Sequence, residues 1–403
     1  MQTLQQYLQE LKYYIWQMDG SMCSELLSFR HLHVKNQRLQ LEDAHSQCSQ
    51  ALDSPYDELV AAHLRGCWAV ARSDYVEAFA CEAAAIQFFV RAFQSHKDTN
   101  WGLPVMYTLI SDLHMFARMA DRDQKRKGVG KPNETVEKAA DCMMSCFRVC
   151  VGDNRSSLDV SKKWGIIAVV NHLFKIYFKI NKLQLCKPLI RAIEGSTIRE
   201  NFRVSHLVTY RYYVGRKAMF DNDYKLAAEY LTFAFEHCHR SSRRNKRLAL
   251  VYLIPVKMFI GYMPSIEVLR QHNLMEFSDV ARSVQEGNLR LLNEALSRHE
   301  AFFIKFGIYL ILERLKVIMY RNLFKKVFLL LGTHQLPLKA FIVTLQMLGE
   351  EDMDIDEAQC IIANLIDKNY IRGYISYQHK KLVISKQNPF PRLPSPDAKI
   401  AIG

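Results

Sequence analysis

Glycine and proline are scarce in this chain of 403 residues, which contains 16 glycines and 11 prolines. This scarcity excludes long irregular connections and favours helices joined by short turns. Long apolar runs are also missing, because a membrane-spanning helix needs roughly 18 unbroken apolar residues. The best run, from Leu248 to Ile254, is followed by Pro255 and Lys257. The start of the chain is polar and predicts a helix rather than a secretory signal, so we expect no membrane contact.

A cysteine framework is absent as well, although the chain has ten cysteines. Scattered cysteines favour a reducing compartment, the cytosol or the nucleus. Cys142, Cys146 and Cys150 are four residues apart and would share one face of a helix. Three thiolates could bind a metal, but small thiols packed at a helix interface are commoner. The sequence also lacks the spacing of a phosphate loop, a nucleophile elbow or a zincin motif. We therefore predict a non-catalytic protein with no metal and no cofactor.

Acidic residues are too few to balance the basic ones, since 54 Lys and Arg oppose 41 Asp and Glu for a net charge of +13. Such an excess favours a polyanionic partner, which could be nucleic acid, an acidic protein or an anionic membrane. The alternative is that the charge only keeps the protein soluble. The hydrophobic fraction of 49% indicates a folded core rather than a disordered chain.

A repeated pattern of helices is present up to about residue 370. Gly66 precedes Asp74 by eight residues, and Gly215 precedes Asp223 by the same interval. Each pattern predicts a helix, a tight turn and a second helix, with the glycine allowing close packing. The second of these hairpins would bury Tyr224, Ala227, Leu231, Ala234 and Cys238. Looser copies follow residues 181–183, with Leu183, Cys186 and Ile190 buried, and residues 287–289, with Leu289, Leu292 and Leu296 buried. The unequal intervals predict a degenerate solenoid similar to tetratricopeptide repeats, whose extended surface suits the binding of other chains.

Two basic segments interrupt the predicted solenoid. One is a loop over residues 122–131, and the other lies between two apolar helices at residues 240–247. Either could be a nuclear import signal or a phosphate contact, and the alternative for each is a solvated loop. The candidate residues are Lys125, Arg126, Lys127, Arg243, Arg244, Lys246 and Arg247.

The C-terminal part predicts a winged helix. A long helix covers residues 308–331, with Leu312, Leu315, Ile318, Leu323, Val327 and Leu330 on its apolar side. Residues 333–337 form a turn, a short helix follows and ends at Gly349, and Asp354 caps a third helix. The period then changes to two over residues 371–377, a turn covers 378–380, and a return strand covers 381–386. Three helices and a hairpin are typical of a winged helix. The proline-rich residues 389–403 predict a disordered tail.

Charge distinguishes the two surfaces that a winged helix can offer to nucleic acid. Carboxylates surround the start of the third helix, at Glu350, Glu351, Asp352, Asp354, Asp356 and Glu357. They stabilise the helix N-terminus but repel phosphates, so base-specific reading of a duplex is not expected. Positive groups lie elsewhere and predict a phosphate surface without sequence specificity. They are Arg372, His379, Lys380, Lys381 and Lys386 on the hairpin, and Arg321, Lys325 and Lys326 on the long helix. The alternative is that these are ordinary solvated side chains.

A helical solenoid that leads into a winged helix resembles the PCI domain found in the proteasome lid, the signalosome and initiation-factor scaffolds. Five segments resemble the PCI domain-containing protein 2 family more closely. They are FKIYFKINKL (174–183), VGRKAMF (214–220), FEHCHR (235–240), YRNLFKKV (320–327) and KQNPFP (386–391). The resemblance covers nearly the whole chain and is strongest from about residue 160. It implies a mainly α fold with an N-terminal helical-repeat region at 1–205 and a PCI domain at 206–388, divided into repeats (206–307) and winged helix (308–388).

The resemblance also implies a function and partners. The family implies a scaffold subunit of the transcription-and-export complex 2, which supports messenger RNA export at the nuclear pore. The implied protein partners are a large scaffold subunit of the germinal-centre-associated nuclear protein type and a small acidic protein of the Sem/DSS type. RNA or DNA would bind without sequence specificity. The expected location is the nucleus, at the pore, with the cytoplasm as a second place. The alternative is a PCI subunit of another assembly, in protein degradation or translation.

Overall fold

A computed structural model describes residues 3–96, 99–155 and 157–393 of the chain. The chain divides into two compact units, Met1–Tyr210 (unit 1) and Arg211–Gly403 (unit 2). The division lies close to the predicted limit between residues 205 and 206. Both units are built mainly from helices, and the predicted fold class is confirmed. Within the described residues, no helix is both long and apolar enough to cross a bilayer.

Unit 1 is a succession of helices in which α2 packs mainly on α6 and, from α3 onward, each helix packs mainly on its neighbours in sequence. Its helices are α1 (Leu4–Trp16), α2 (Gly20–Leu26), α3 (His45–Ala51), α4 (Tyr56–Ala71), α5 (Tyr75–Ser95), α6 (Leu103–Lys127), α7 (Glu134–Val151), α8 (Ile166–Lys179), α9 (Cys186–Glu194) and the start of α10 (Val204–Phe220). The pairs α4 and α5, α5 and α6, α6 and α7, and α7 and α8 are in contact. Contact between sequence neighbours is what a helical-repeat array predicts.

The predicted turn at Asp74 is confirmed in atomic detail. Asp74 caps α5, since its Oδ1 accepts hydrogen bonds from the amides of Val76 and Glu77 at 3.2 and 3.1 Å. Gly66 is less directly a helix-packing residue than expected. A Cβ at Gly66 would lie 2.7 Å from the Phe29 ring, but 3.6 Å from Cys81 on α5. The small residue therefore mainly makes room for an aromatic ring.

Unit 2 begins with the repeats that the sequence predicted best. After the end of α10 come α11 (Tyr224–His237), α12 (Arg243–Ile260), α13 (Ile266–Gln271), α14 (Ser278–Glu286), α15 (Leu289–Arg298) and α16 (Glu300–Phe306). Asp223 caps α11, and a Cβ at Gly215 would lie 2.8 Å from the Leu231 side chain of α11. Gly287 has φ +67° and leaves no room for a Cβ beside the backbone of Leu323. The buried positions of α11 and α15 match the prediction, except that Tyr224 is half-buried.

The looser repeat in unit 1 follows a different stripe from the predicted one. The buried residues of α9 are Cys186, Leu189 and Ile193, whereas Ile190 is only half-buried. Leu183 belongs to a short 3-10 helix that precedes α9 and is also half-buried. Cys186 is therefore buried as predicted, but the stripe continues through Leu189 and Ile193 instead of including Leu183 and Ile190.

The winged helix in unit 2 has the predicted order of helices, with two differences. The predicted long helix is two helices, α17 (Tyr309–Glu313) and α18 (Lys316–Leu331). They are followed by a strand β1 (Gln335–Pro337), α19 (Leu338–Met347), α20 (Ile355–Asp367), β2 (Gly373–Ser376) and β3 (Lys381–Ile384). The segment predicted as a turn is therefore partly a strand, and β1 pairs with β3 through Leu336 opposite Leu382. The three strands are antiparallel in the order β1-β3-β2.

The segment after β3 is packed where the sequence predicted a disordered tail. Phe390 is buried, and its ring stacks on Phe328 of α18 with centroids 5.7 Å apart. An aromatic side chain next to prolines therefore anchors residues 389–393 to the winged helix. The rest of the predicted tail, residues 394–403, lies outside the described residues.

Candidate functional site

The tip of the wing brings three of the predicted basic residues together. His379 and Lys380 are exposed in the turn between β2 and β3. Lys381 lies opposite Ser376 at the first pair of the hairpin, and its Nζ is 3.4 Å from Gln335 Oε1. The backbone of Lys380 has φ +47°, and its carbonyl accepts a hydrogen bond from the Leu338 amide at 3.0 Å. The tip is therefore held by the start of α19 while its charged side chains stay at the surface.

The base of the wing carries the other two basic residues of the hairpin. Arg372 and Lys386 are both exposed. The Ser385 amide donates to the carbonyl of Arg372 at 2.8 Å, which places Lys386 beside the end of that pair. Four strand residues separate base from tip, or about 13 Å. The hairpin therefore has two small groups of cations instead of one continuous patch.

Arg321 was predicted as a phosphate contact, and that prediction is wrong. The residue is buried, with 7% of its surface exposed. Its guanidinium donates to the carbonyl oxygens of Phe390 and Pro391 and to Asn322 Oδ1. Burial lowers the pKa of Arg321 below its ordinary value. The sequence showed a cation on a helix, but the segment after β3 covers it.

The two lysines that follow on α18 remain at the surface. Lys325 and Lys326 are exposed. Lys326 Nζ donates to the carbonyl oxygen of Glu286 at 2.8 Å, so this lysine also satisfies the last turn of α14. The ammonium group has three N–H donors, so it can contact an anion without breaking this bond.

Six carboxylates surround the start of the third helix, as the sequence predicted, and we call them the acidic collar. They are Glu350, Glu351, Asp352, Asp354, Asp356 and Glu357. Asp354 caps α20 and forms a capping box with Glu357, whose amide donates to Asp354 Oδ1 at 2.7 Å. Asp356 and Glu357 occupy the exposed first turn. Burial and the charges of Glu350 and Glu357 raise the pKa of Tyr320 on α18. A negative potential therefore surrounds the end of the helix that would enter a major groove.

Neither basic segment predicted as a loop is a loop throughout. Lys125, Arg126 and Lys127 form the last turn of α6, and cations at a helix C-terminus are stabilised by the helix dipole. Arg243 and Arg244 begin α12. Lys246 lies over the Phe235 ring, and Arg247 donates to the Asn273 carbonyl at 3.1 Å. Lys246 and Arg247 thus contribute to local packing, whereas the other five side chains are exposed. An import role for these residues stays a prediction.

Exposed apolar side chains form a feature of the winged helix that the sequence did not reveal. Leu330 was expected on the buried side of its helix, but 85% of its surface is exposed. Leu329 and Leu331 beside it are also exposed, as are Val343 and Met347 on α19, the latter at 74%. Helix α18 ends at Leu331, and the apolar side chains of its last turn are left without a neighbouring element, among the described residues, that buries them. We call Leu329, Leu330 and Leu331 the apolar end, whereas Val343 and Met347 are exposed on a different helix.

The cysteines predicted to pack at a helix interface have separate contacts. Cys142 Sγ is 3.7 Å from the Ala83 carbonyl, and Cys150 Sγ is 3.8 Å from Met106 Sδ. Another group in unit 1, which the sequence did not suggest, has the spacing of metal ligands. His33 Nε2 is 3.0 Å from His63 Nε2, which is 3.6 Å from Cys67 Sγ. Burial lowers the pKa of both imidazoles, so both are neutral.

Comparison with known proteins adds to these observations. The PCI domain model matches residues 293–386, which contain the winged helix. PCI domain-containing protein 2 of Danio rerio is 58% identical over 393 residues, covering 98% of each chain. The PCI domain-containing protein 2 homolog of Drosophila melanogaster is 43% identical over 391 residues, covering 96% of this chain and 98% of the other. The Protein CSN12 homolog of Schizosaccharomyces pombe is 31% identical, covering 85% and 84%.

Proposed function

Because the chain belongs to the PCI domain-containing protein 2 family, we propose that it is a non-catalytic scaffold subunit of the transcription-and-export complex 2. In this role it supports the export of messenger RNA at the nuclear pore. Its work is to hold protein partners and to contact nucleic-acid phosphates without reading their sequence. The apolar end of the winged helix is the observation that carries the scaffold role.

An exposed apolar group at a helix end is costly in a protein that acts alone. Leu329, Leu330 and Leu331 are consecutive, so their side chains cover a broad arc of α18 rather than one stripe. Burying such residues in a partner contributes about 25 cal/mol for each Å² of apolar surface removed from water. Large exposed apolar patches commonly mark protein interfaces. The apolar end therefore suits the large scaffold subunit as its partner.

Charge supports the remaining partners. The net charge of +13 favours association with a small acidic protein of the Sem/DSS type and with RNA. The wing tip offers exposed cations to phosphates, while the acidic collar of α20 disfavours insertion into a duplex major groove. Binding without base readout is the mode that agrees with both features. It also suits a nuclear protein that must accept many different transcripts.

Purification of the tagged full-length chain from cells, followed by mass spectrometry, tests the proposal. We expect the large scaffold subunit and the small acidic protein in stoichiometric amounts. The Leu330→Glu variant should lose the large subunit. Leu32→Glu, at an apolar side chain of unit 1 that is 81% exposed, is the matched control and should retain it. Recovery of proteasome-lid, signalosome or initiation-factor subunits instead would favour the alternative assembly.

A further inference from the structure

A surface with an excess of positive charge lies where α6, α8 and the start of α10 meet in unit 1. Helix α6 packs against α8, and Asn171 Nδ2 on α8 donates to the His206 carbonyl on α10 at 3.0 Å. The cations come from three separate stretches of sequence, so no local motif reveals them. We call them the basic track, and they are Arg118, Arg122, Lys175, Lys179 and Arg203. His206 lies beside them as a neutral imidazole, because burial and the charges of Arg203 and Lys175 lower its pKa.

The track contains two parallel rows. Arg118 and Arg122 are four residues apart on α6, and Lys175 and Lys179 are four apart on α8, so each pair shares one helix face. All four side chains are exposed. His114 Nδ1 on α6 lies 3.4 Å from His172 Nδ1 on α8, one turn before each pair, so the two rows lie side by side. Burial and the charges of Arg118 and Arg122 lower the pKa of Lys179, while Asp121 raises it. Like charges four residues apart on a helix repel each other and destabilise it, so an anion bound between the two rows would relieve the repulsion.

The carboxylates near the track have other partners. The charge of Asp121 raises the pKa of Lys179, but its Oδ1 also accepts a hydrogen bond from the Thr135 amide at 3.0 Å. Asp112 is buried, accepts from the Phe29 amide and lies 3.6 Å from Arg30. Asp19 lines the neighbouring aromatic groove, but its Oδ1 accepts hydrogen bonds from the amides of Ser21 and Met22. These acids still leave a surplus of positive charge.

A polar groove of about 310 Å³ lies along the α8 side of the track. Hydroxyl, amide and imidazole groups line it, at Ser111, Asn171, His172, Ser205 and Thr209, beside Lys175. Arg30 Nη2 donates to Ser111 Oγ at 2.8 Å, which adds a guanidinium next to the groove. Such groups are the usual partners of phosphate oxygens.

An aromatic groove of about 970 Å³ adjoins the polar one. Trp101, Tyr107 and Trp164 line it and are only partly buried. Tyr107 and His206 line both grooves, so the two are continuous. Cations that follow a backbone, next to aromatic rings on which bases can stack, are the typical features of a surface that binds single strands.

We infer that this face of unit 1 binds single-stranded RNA, with phosphates along the basic track and bases in the aromatic groove. RNA is chosen over an acidic peptide because each nucleotide carries a phosphate, which suits cations that recur at every helix turn. The inference rests on the proposed function for RNA as the cargo. It places a binding surface outside the winged helix.

Fluorescence anisotropy of the full-length chain with a fluorescein-labelled 15-nucleotide oligouridine tests the inference. We expect Lys175→Glu with Lys179→Glu to raise Kd at least tenfold at low salt. The slope of log Kd against log salt should fall by about 1.4, since each phosphate contact on a single strand adds about 0.7. Lys187→Glu with Arg191→Glu, exposed and four apart on α9, is the matched control and should stay within twofold.

Ultraviolet crosslinking provides a readout that a merely structural role would not affect. Oligouridine should crosslink to peptides that contain Tyr107 or Trp164, and the crosslinks should weaken in the α8 variant. Equal circular dichroism spectra and melting temperatures will show that the variants fold. If the double Glu variant does not fold, Lys175→Gln with Lys179→Gln should still raise Kd about threefold.

The wing variant Lys380→Glu with Lys381→Glu, measured on the same probe, separates this inference from the proposed function. Weaker binding in the wing variant, with unchanged Kd in both α8 variants, overturns the inference and leaves the proposed function standing. No oligouridine binding by the wild-type chain overturns both RNA sites, but not the scaffold role, which the purification experiment tests. A 15-residue polyglutamate that displaces the RNA and binds the track more tightly would assign the surface to an acidic protein.

Discussion

The guanidinium of Arg321 donates a hydrogen bond from Nη2 to the carbonyl oxygen of Pro391 at 2.5 Å. A second bond from the same nitrogen reaches the carbonyl of Phe390 at 3.3 Å. Arg321 belongs to α18, whereas the two carbonyls follow the wing, so one side chain joins two parts of the winged helix. This geometry makes Arg321 a stabilising residue, and Lys325 and Lys326 stay as the predicted phosphate contacts of this helix.

Replacement of Arg321 by Met should therefore reduce stability without weakening RNA binding. The change removes charge-assisted hydrogen bonds from buried carbonyls, so the free energy of unfolding should fall by about 2–3 kcal/mol. Urea denaturation measures it. Lys325→Met, at an exposed position of the same helix, is the control and should change stability by less than about 0.5 kcal/mol. Weaker RNA binding with full stability would return Arg321 to the nucleic-acid surface.

Reversal of charge at the wing tip should weaken RNA binding. Lys380→Glu with Lys381→Glu removes two neighbouring cations, of which Lys380 is exposed and Lys381 half-buried. The slope of log Kd against log salt should fall by about 1.4 if each lysine contacts one phosphate of a single strand. Lys225→Glu with Arg290→Glu makes the same charge change at exposed positions on α11 and α15. If Kd and slope are unchanged at the tip, or change equally in the control, the wing is not a phosphate site.

Local chemistry explains how much of the fold could be predicted from the sequence. Asp74, Asp223 and Asp354 were all identified as turn or capping residues, and all three cap their helices. A side chain that bonds its own backbone within three residues depends little on distant parts of the chain. The winged helix was predicted for the same reason, since its change of period from 3.6 to 2 is visible locally.

Features that depend on distant segments were missed. Strand β1 has only three residues and exists because β3 pairs with it. Leu330 follows a helical apolar period but has no neighbour, and Arg321 is covered by residues about seventy positions later. The basic track of unit 1 is assembled from three stretches of sequence. None of these has a signal in its own sequence window.

Lys257 provides a test of a buried cation in unit 2. It lies inside α12 with 1% of its surface exposed, and burial lowers its pKa to about 8. Its ordinary value is 10.5, so the unfolded chain binds more protons between pH 8 and 10.5. The cost of the buried charge is therefore complete below pH 8 and is relieved as pH rises to 10.5. Lys257→Met should raise the free energy of unfolding by about 1–2 kcal/mol at pH 7.

Denaturation of the wild-type chain and the Lys257→Met variant across this pH range measures the effect. The difference between them should shrink from pH 8 to pH 10. Lys225→Met, at an exposed lysine of α11, is the control and should give a small difference that does not vary in this way. A constant advantage of Lys257→Met at every pH would assign the gain to packing rather than to charge.

The pair His33 and His63 should make unit 1 sensitive to acid. Burial and the neighbouring imidazole lower the pKa of His63 well below 6.5, and burial together with His31 lowers that of His33 to about 4. The folded pair stays neutral between pH 6.5 and 4 while the unfolded chain takes up protons. The stability that depends on neutral imidazoles is thus complete above pH 6.5 and is lost as pH falls. Each histidine contributes up to about 1.4 kcal/mol per pH unit in this window.

His33→Gln with His63→Gln should reduce the pH dependence of unfolding by one to two protons, whereas His45→Gln, at an exposed position of α3, should not. An equal pH dependence in the double variant and the wild-type chain would show that other groups control the acid response.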